Sequence, residues 1–191
     1  MHSLTGTIVT AAGAFAATNV DAFILLTVLF AAARAGGTWA WRVVLGQFVG
    51  YVMLVGVSVA AAFVFASVPL KWVGLLGLFP LVMGIRGLLE ARKEVEDPRI
   101  TDSLPVIVTL ILSVCVDNLS VYIVLFRSQT TAESAVSITV FAVLEALWCA
   151  VAYTIANQKA VILAIRRAGA WLVPAVFVAI GVAIGVRTGL L

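Results

Sequence analysis

Charge and histidine are scarce in this chain. Nine Asp or Glu, twelve Lys or Arg and a single His stand among 191 residues, so charged side chains make up only 11%, against about 25% in an average soluble domain. Apolar residues fill the deficit at 63%, with a mean hydropathy of +1.18. That composition belongs to an integral membrane protein, and the length suits six helices of about 20 residues with short connections and no separate soluble domain. The two cysteines, Cys115 and Cys149, lie inside apolar runs, which argues against a disulfide framework. No basic run points to nucleic acid; the net charge of +3 comes from lysines and arginines in the connections. Neither a histidine-rich nor a serine–lysine constellation occurs at mid-span, so an enzyme is not expected. The first apolar segment has no basic stretch before it and contains Asp21, which argues against a cleaved signal peptide.

Six apolar runs follow one another, over about 7–33, 43–66, 72–89, 104–126, 135–157 and 171–186. Arg34-Ala35-Gly36-Gly37 ends the first, and Gly46 and Gly50 open the second with a small-xxx-small pair that lets another helix approach closely. The third carries Pro80 among Gly74, Gly77, Gly84 and Gly87, which predicts a kinked, tightly packed helix. Residues 90–103 hold eight of the charges and divide the chain into 1–89 and 104–191. A proline follows the acidic motif by 59 residues in the first part (Asp21 to Pro80) and by 57 in the second (Asp117 to Pro174). That near-equality suggests an internal repeat of three helices.

The connections after the first, third and fifth runs carry nine Lys or Arg and the opposite side three, which predicts a cytoplasmic linker with both termini outside. Three helices per repeat then place the halves upside down relative to each other. The expected fold is an all-α membrane protein of six transmembrane helices in two inverted repeats, a design that sets a substrate site near the midplane.

Three carboxylates fall within the spans: Asp21, Asp117 and Glu145. A carboxylate at mid-membrane costs about 2.5–3.5 kcal/mol on insertion scales, and such residues mark ion paths. No Lys or Arg lies at mid-span to balance them, so a cation or protons must. Thr18-Asn19-Val20-Asp21 and Val116-Asp117-Asn118-Leu119-Ser120 form the two halves of one expected site, Asp21 and Asp117 balancing a divalent ion with Asn19 and Asn118 as neutral ligands. Thr18 shares a face with Asp21, and Ser113 and Ser120 share one with Asp117. Cys115 reaches the ion only if the helix is broken there, and its sulfur would favour cadmium or zinc. Glu145 is the candidate proton carrier. No cofactor is expected to stay bound, the expected partners being the bilayer, the cation and protons. The glycine faces are candidate contacts for a homodimer.

Thr18-Asn19-Val20-Asp21 with Phe23-Ile24-Leu25-Leu26, Gly46-Gln47-Phe48-Val49-Gly50, Leu76-Gly77-Leu78-Phe79-Pro80 with Gly84-Ile85, and Asp117-Asn118 with Tyr122 occur in that order along the chain. Together they resemble the cadmium resistance transporter (CadD-type) family of the lysine-exporter superfamily. The resemblance implies a bacterial inner-membrane exporter of cadmium or another divalent cation. Two places depart from the family's pattern, Ala22 in place of a second acidic residue and Cys115-Val116 in place of a glycine pair. The alternative within transport is export of an organic cation, such as a quaternary ammonium ion or basic amino acid, against a wall of Phe15, Tyr122 and Trp148. Outside transport, a scaffolding membrane subunit would have little surface to offer beyond the 90–103 linker.

Overall fold

The computed structural model describes residues 4–34, 38–67, 72, 75, 78–90, 103–115, 118–158 and 174–186. Among these residues the secondary structure is helical and no strand occurs. The helices are α1 (Leu4–Thr18), α2 (Val20–Arg34), α3 (Ala40–Val64, prolonged by a 3₁₀ turn over Phe65–Ser67), α4 (Leu78–Glu90), α5 (Leu104–Cys115), α6 (Asn118–Arg127), α7 (Thr131–Ile155) and α8 (Pro174–Val186). By length and composition α3 and α7 are each able to cross a membrane, and the count rises to four when α1–α2 and α5–α6 are each taken as one span. Residues 91–102 of the linker lie outside the described residues, as do Asp117, Lys71, Trp171 and Arg187.

Two expected helices are not continuous. The axes of α1 and α2 diverge by 60° and those of α5 and α6 by 67°, where single helices over 7–33 and 104–126 were expected. The cause of the first bend is local. Thr18 Oγ1 donates to Ala14 O at 2.9 Å, and Asn19 Nδ2 donates to Phe15 O at 2.9 Å, alongside the Asn19 backbone N–H at 3.0 Å. Side chains that take up ladder carbonyls bend a helix at that point.

The straight helices are crossed between the halves. α7 runs along both α1 and α2, while α3 runs along both α5 and α6. Each straight helix therefore packs against the bent pair of the other half. Gly46 and Gly50 make the second of these approaches possible: a Cβ would stand 2.7 Å from Ile107 Cγ2 at the first and 2.8 Å from Ile111 Cγ2 at the second. Gly84 allows α4 to meet α8, where a Cβ would lie 2.6 Å from the carbonyl oxygen of Pro174. Gly46, Gly50 and Gly84 thus face neighbours within the protomer.

Pro80 is the third residue of α4 and Pro174 the first of α8 as described; the residues just before each helix, on which the kink expected at Pro80 depends, lie outside the described residues. Glu133 is the third residue of α7, where its side chain and that of Thr130 make a reciprocal capping box.

The core lies where bent and straight helices meet, on Ala11, Phe15, Leu26, Leu29, Val43, Ile107, Ile111 and Phe141, all at most 1% exposed. The outer faces are also apolar, with Val52, Phe63 and Val143 more than 60% exposed. Such side chains need lipid around them. Trp39, Trp41 and Trp72 are exposed as well, as an interfacial belt requires.

Candidate ion site at the helix breaks

Asn19 stands at the first break and holds four helices together. Its Nδ2 donates to the Tyr122 hydroxyl on α6 at 2.7 Å, and its Oδ1 accepts from Asn118 Nδ2 at 3.3 Å. Its backbone carbonyl accepts from Trp148 Nε1 on α7 at 3.1 Å and from the Phe23 N–H on α2 at 3.0 Å. Thr18, Asn19, Asn118 and Tyr122 are all buried. The two polar motifs, some hundred residues apart in the chain, are thus in direct contact.

Asp21 lies in the first turn of α2, half-buried, with its Oδ1 accepting from the Ala22 N–H at 2.8 Å. A carboxylate there is favoured by the positive end of the helix dipole. Asp117 falls outside the described residues, immediately before α6 begins at Asn118. Ser120 is buried, but Ser113 is exposed and turns its hydroxyl to Leu110 O at 2.7 Å. The face Ser113 is expected to share with Asp117 lies partly outside the described residues.

A small cavity lies beneath Asn19, lined by Phe15, Gln47, Tyr51, Cys115, Tyr122 and Glu145. Cys115, the last described residue of α5, is among them. Glu145, 2% exposed, accepts from Gln47 Nε2 on α3, and Tyr51 donates to Ile138 O at 2.8 Å. Asp21 is not among the residues around this cavity. Among the described residues no three His, Cys, Asp or Glu side chains converge on a metal-sized site. An ion here would draw on amide, hydroxyl and carbonyl oxygens besides carboxylates.

The aromatic rings close on one another. Phe15 meets Phe141 and Trp148, each at 5.7 Å between centroids, and Tyr122 meets Phe141 at 4.7 Å. Phe15, Tyr122 and Trp148, the wall expected for an organic cation, thus belong to one aromatic cluster with Phe141.

Residues 15–191 match the cadmium resistance transporter family, and that stretch takes in both breaks, both acidic motifs and Glu145. The chain belongs to the cadmium resistance transporter family. Comparison with curated proteins and with solved structures yields no match. Membership in a transporter family, with apolar helices of spanning length, makes this a membrane protein of a class concerned with metal-ion transport and not an enzyme class.

Two pairings are not evident from residue type alone. Gln47 meets Glu145, and the spacing carries a signal, since Gln47 follows Asn19 by 28 residues and Glu145 follows Asn118 by 27. Tyr122, expected in an aromatic wall, accepts at its hydroxyl from the Asn19 amide. Tyr122→Phe is expected to leave a buried donor without its partner, costing about 1–3 kcal/mol. A lower melting temperature in detergent, together with slower transport, would register it; an unchanged melting curve would show that the contact carries no weight.

Proposed function

We propose that this protein is a secondary-active exporter of a divalent cation, cadmium first and zinc next, working by alternating access and driven by protons. The observation that carries the proposal is the Asn118–Asn19 hydrogen bond, which joins two helix breaks that each adjoin an aspartate. Broken spanning helices that meet at mid-depth supply unpaired backbone groups and charged side chains to an ion while leaving the rest of the bundle satisfied. In this reading Asp21 and Asp117 hold the ion, with Asn19, Asn118, Thr18 and Ser120 as neutral oxygen donors. Cys115 adds a soft ligand from below. Protons entering from outside reach Glu145 and displace the cation.

The architecture proposed around the site is six transmembrane helices in inverted repeats over 1–89 and 104–191, joined by a cytoplasmic linker over 90–103. The protein sits in the bacterial inner membrane with both termini outside. The exchange of straight helices between halves supports this arrangement, because α3 and α7 bear the same relation to the bent pairs they cross.

Purified protein in liposomes, loaded with an outward or inward pH gradient and offered radioactive Cd²⁺, tests the proposal. Saturable uptake that collapses with the gradient and is inhibited by Zn²⁺ is the expected result. Absence of Cd²⁺ flux, or inhibition by tetramethylammonium alone, would replace the metal with an organic cation as cargo.

A further inference from the structure

Each bent pair ends in an arginine, and the two arginines do the same thing at different places. Arg34, the last residue of α2, donates from an Nη to the carbonyl of Tyr153 in the last turn of α7 at 2.8 Å, and its guanidinium stacks 4.1 Å from the Tyr153 ring centre. Arg127, the last residue of α6, donates from an Nη to Ala66 O at 2.7 Å and from Nε to Phe65 O at 3.2 Å, in the turn that ends α3. Carbonyls at a helix C-terminus have no following N–H and carry the negative end of the dipole, so a cation is the favoured partner. Both contacts link one half of the chain to the straight helix of the other.

They also lie at opposite ends of the bundle. α7 begins at Thr131, close in sequence to Arg127, and meets Arg34 at Tyr153 near its other end, a rise of about 33 Å. We propose that Arg34 and Arg127 are the clasps that shut the ion path at the two membrane faces and that transport opens them one at a time. The proposal rests on the alternating-access reading and assigns these side chains a positioning role away from the ion.

The geometry makes each clasp able to open. The helix that carries it stands at an angle to the preceding segment, 60° for α2 and 67° for α6, so the outer segment is a lever distinct from the inner one. Arg34 is exposed and Arg127 half-buried, so water replaces the lost carbonyls when a clasp parts. A guanidinium suits the task better than an ammonium: its planar fork spans the two carbonyls of Phe65 and Ala66 and lies flat on Tyr153. Here both clasps are closed.

Sided labelling of Cys115 tests this. With Cys149→Ala in the background, Cys115 is the sole thiol; it is buried beside the central cavity. Right-side-out and inverted vesicles are treated with a membrane-impermeant maleimide, for the parent and for Arg34→Gln and Arg127→Gln. The parent should label slowly from both faces. Arg34→Gln should raise labelling about tenfold from the face of the α2–α3 connection only, and Arg127→Gln by a similar factor from the opposite face only, as expected when a minor open state gains population. Arg34→Lys and Arg127→Lys, which keep a donor, should fall between. Parental rates in both variants, or a rise from the same face in both, would overturn the proposal. So would a variant that melts early and labels faster from both faces alike, since that marks a structural role. No metal enters the assay, so a failure of Cd²⁺ uptake by the parent would refute the cargo assignment and leave the clasps to the labelling result.

Discussion

Asp21→Asn is expected to abolish Cd²⁺ uptake by proteoliposomes at unchanged protein content. The substitution keeps the size of the side chain and an oxygen for the Ala22 N–H, so α2 retains its start. Only the favourable meeting of charge and helix dipole is lost, a matter of about 0.3–1 kcal/mol. The consequence for a bound cation is much larger. A unit charge about 4 Å from a second one, at an effective dielectric near 20, contributes about 4 kcal/mol per charge product, and a divalent ion feels at least that. Affinity should fall by about a thousandfold or more. Calorimetric titration with Cd²⁺ and the uptake assay read the two effects, and a melting curve checks the fold. Full uptake by the variant would remove Asp21 from the site; the same pair of measurements on Asp117→Asn judges its counterpart.

Glu145→Gln should uncouple transport from the pH gradient while leaving Cd²⁺ exchange between equal concentrations largely intact. Glu145 accepts a hydrogen bond from the Gln47 amide. A carboxamide still offers a carbonyl to the Gln47 amide and fills the same buried space, so the crossing of α3 and α7 survives. What disappears is the ability to take up and release a proton between the two halves. Glu145→Leu is the structural comparison: it leaves the Gln47 amide buried without an acceptor, at about 1–3 kcal/mol, and should lower the melting temperature where Glu145→Gln does not. Gradient-driven uptake at the parental rate in Glu145→Gln would rule out a proton-carrying role for this residue.

The two substitutions separate the parts of the proposed cycle. One removes charge from the ion, the other removes the exchangeable proton, and the described geometry places Asp21 away from the cavity that holds Glu145. Loss of binding in the first with retention of binding in the second is the pattern that two distinct sites produce. Equal loss of Cd²⁺ affinity in both would mean that Glu145 is itself a ligand.

Much of this protein could be read from one dimension. Scarce charge and long apolar runs determine a helical membrane protein, because backbone groups in hydrocarbon must be satisfied within the segment or within a closed barrel. The small-residue pair Gly46 and Gly50 announced a close helix approach, and carboxylates at mid-span are the ground for proposing an ion site. The bends were not legible. A break of one residue at Asn19 leaves the apolar run uninterrupted, and whether Thr18 and Asn19 point outward or take up their own helix's carbonyls depends on the partners waiting at Tyr122 and Trp148. The pairing of Gln47 with Glu145, the crossing of α3 and α7 onto the bent pairs, and the contacts of Arg34 and Arg127 with the ends of α7 and α3 were decided by tertiary structure alone. Sequence periodicity says which side of a helix seeks a neighbour; only the packing of all the helices at once says which neighbour it meets.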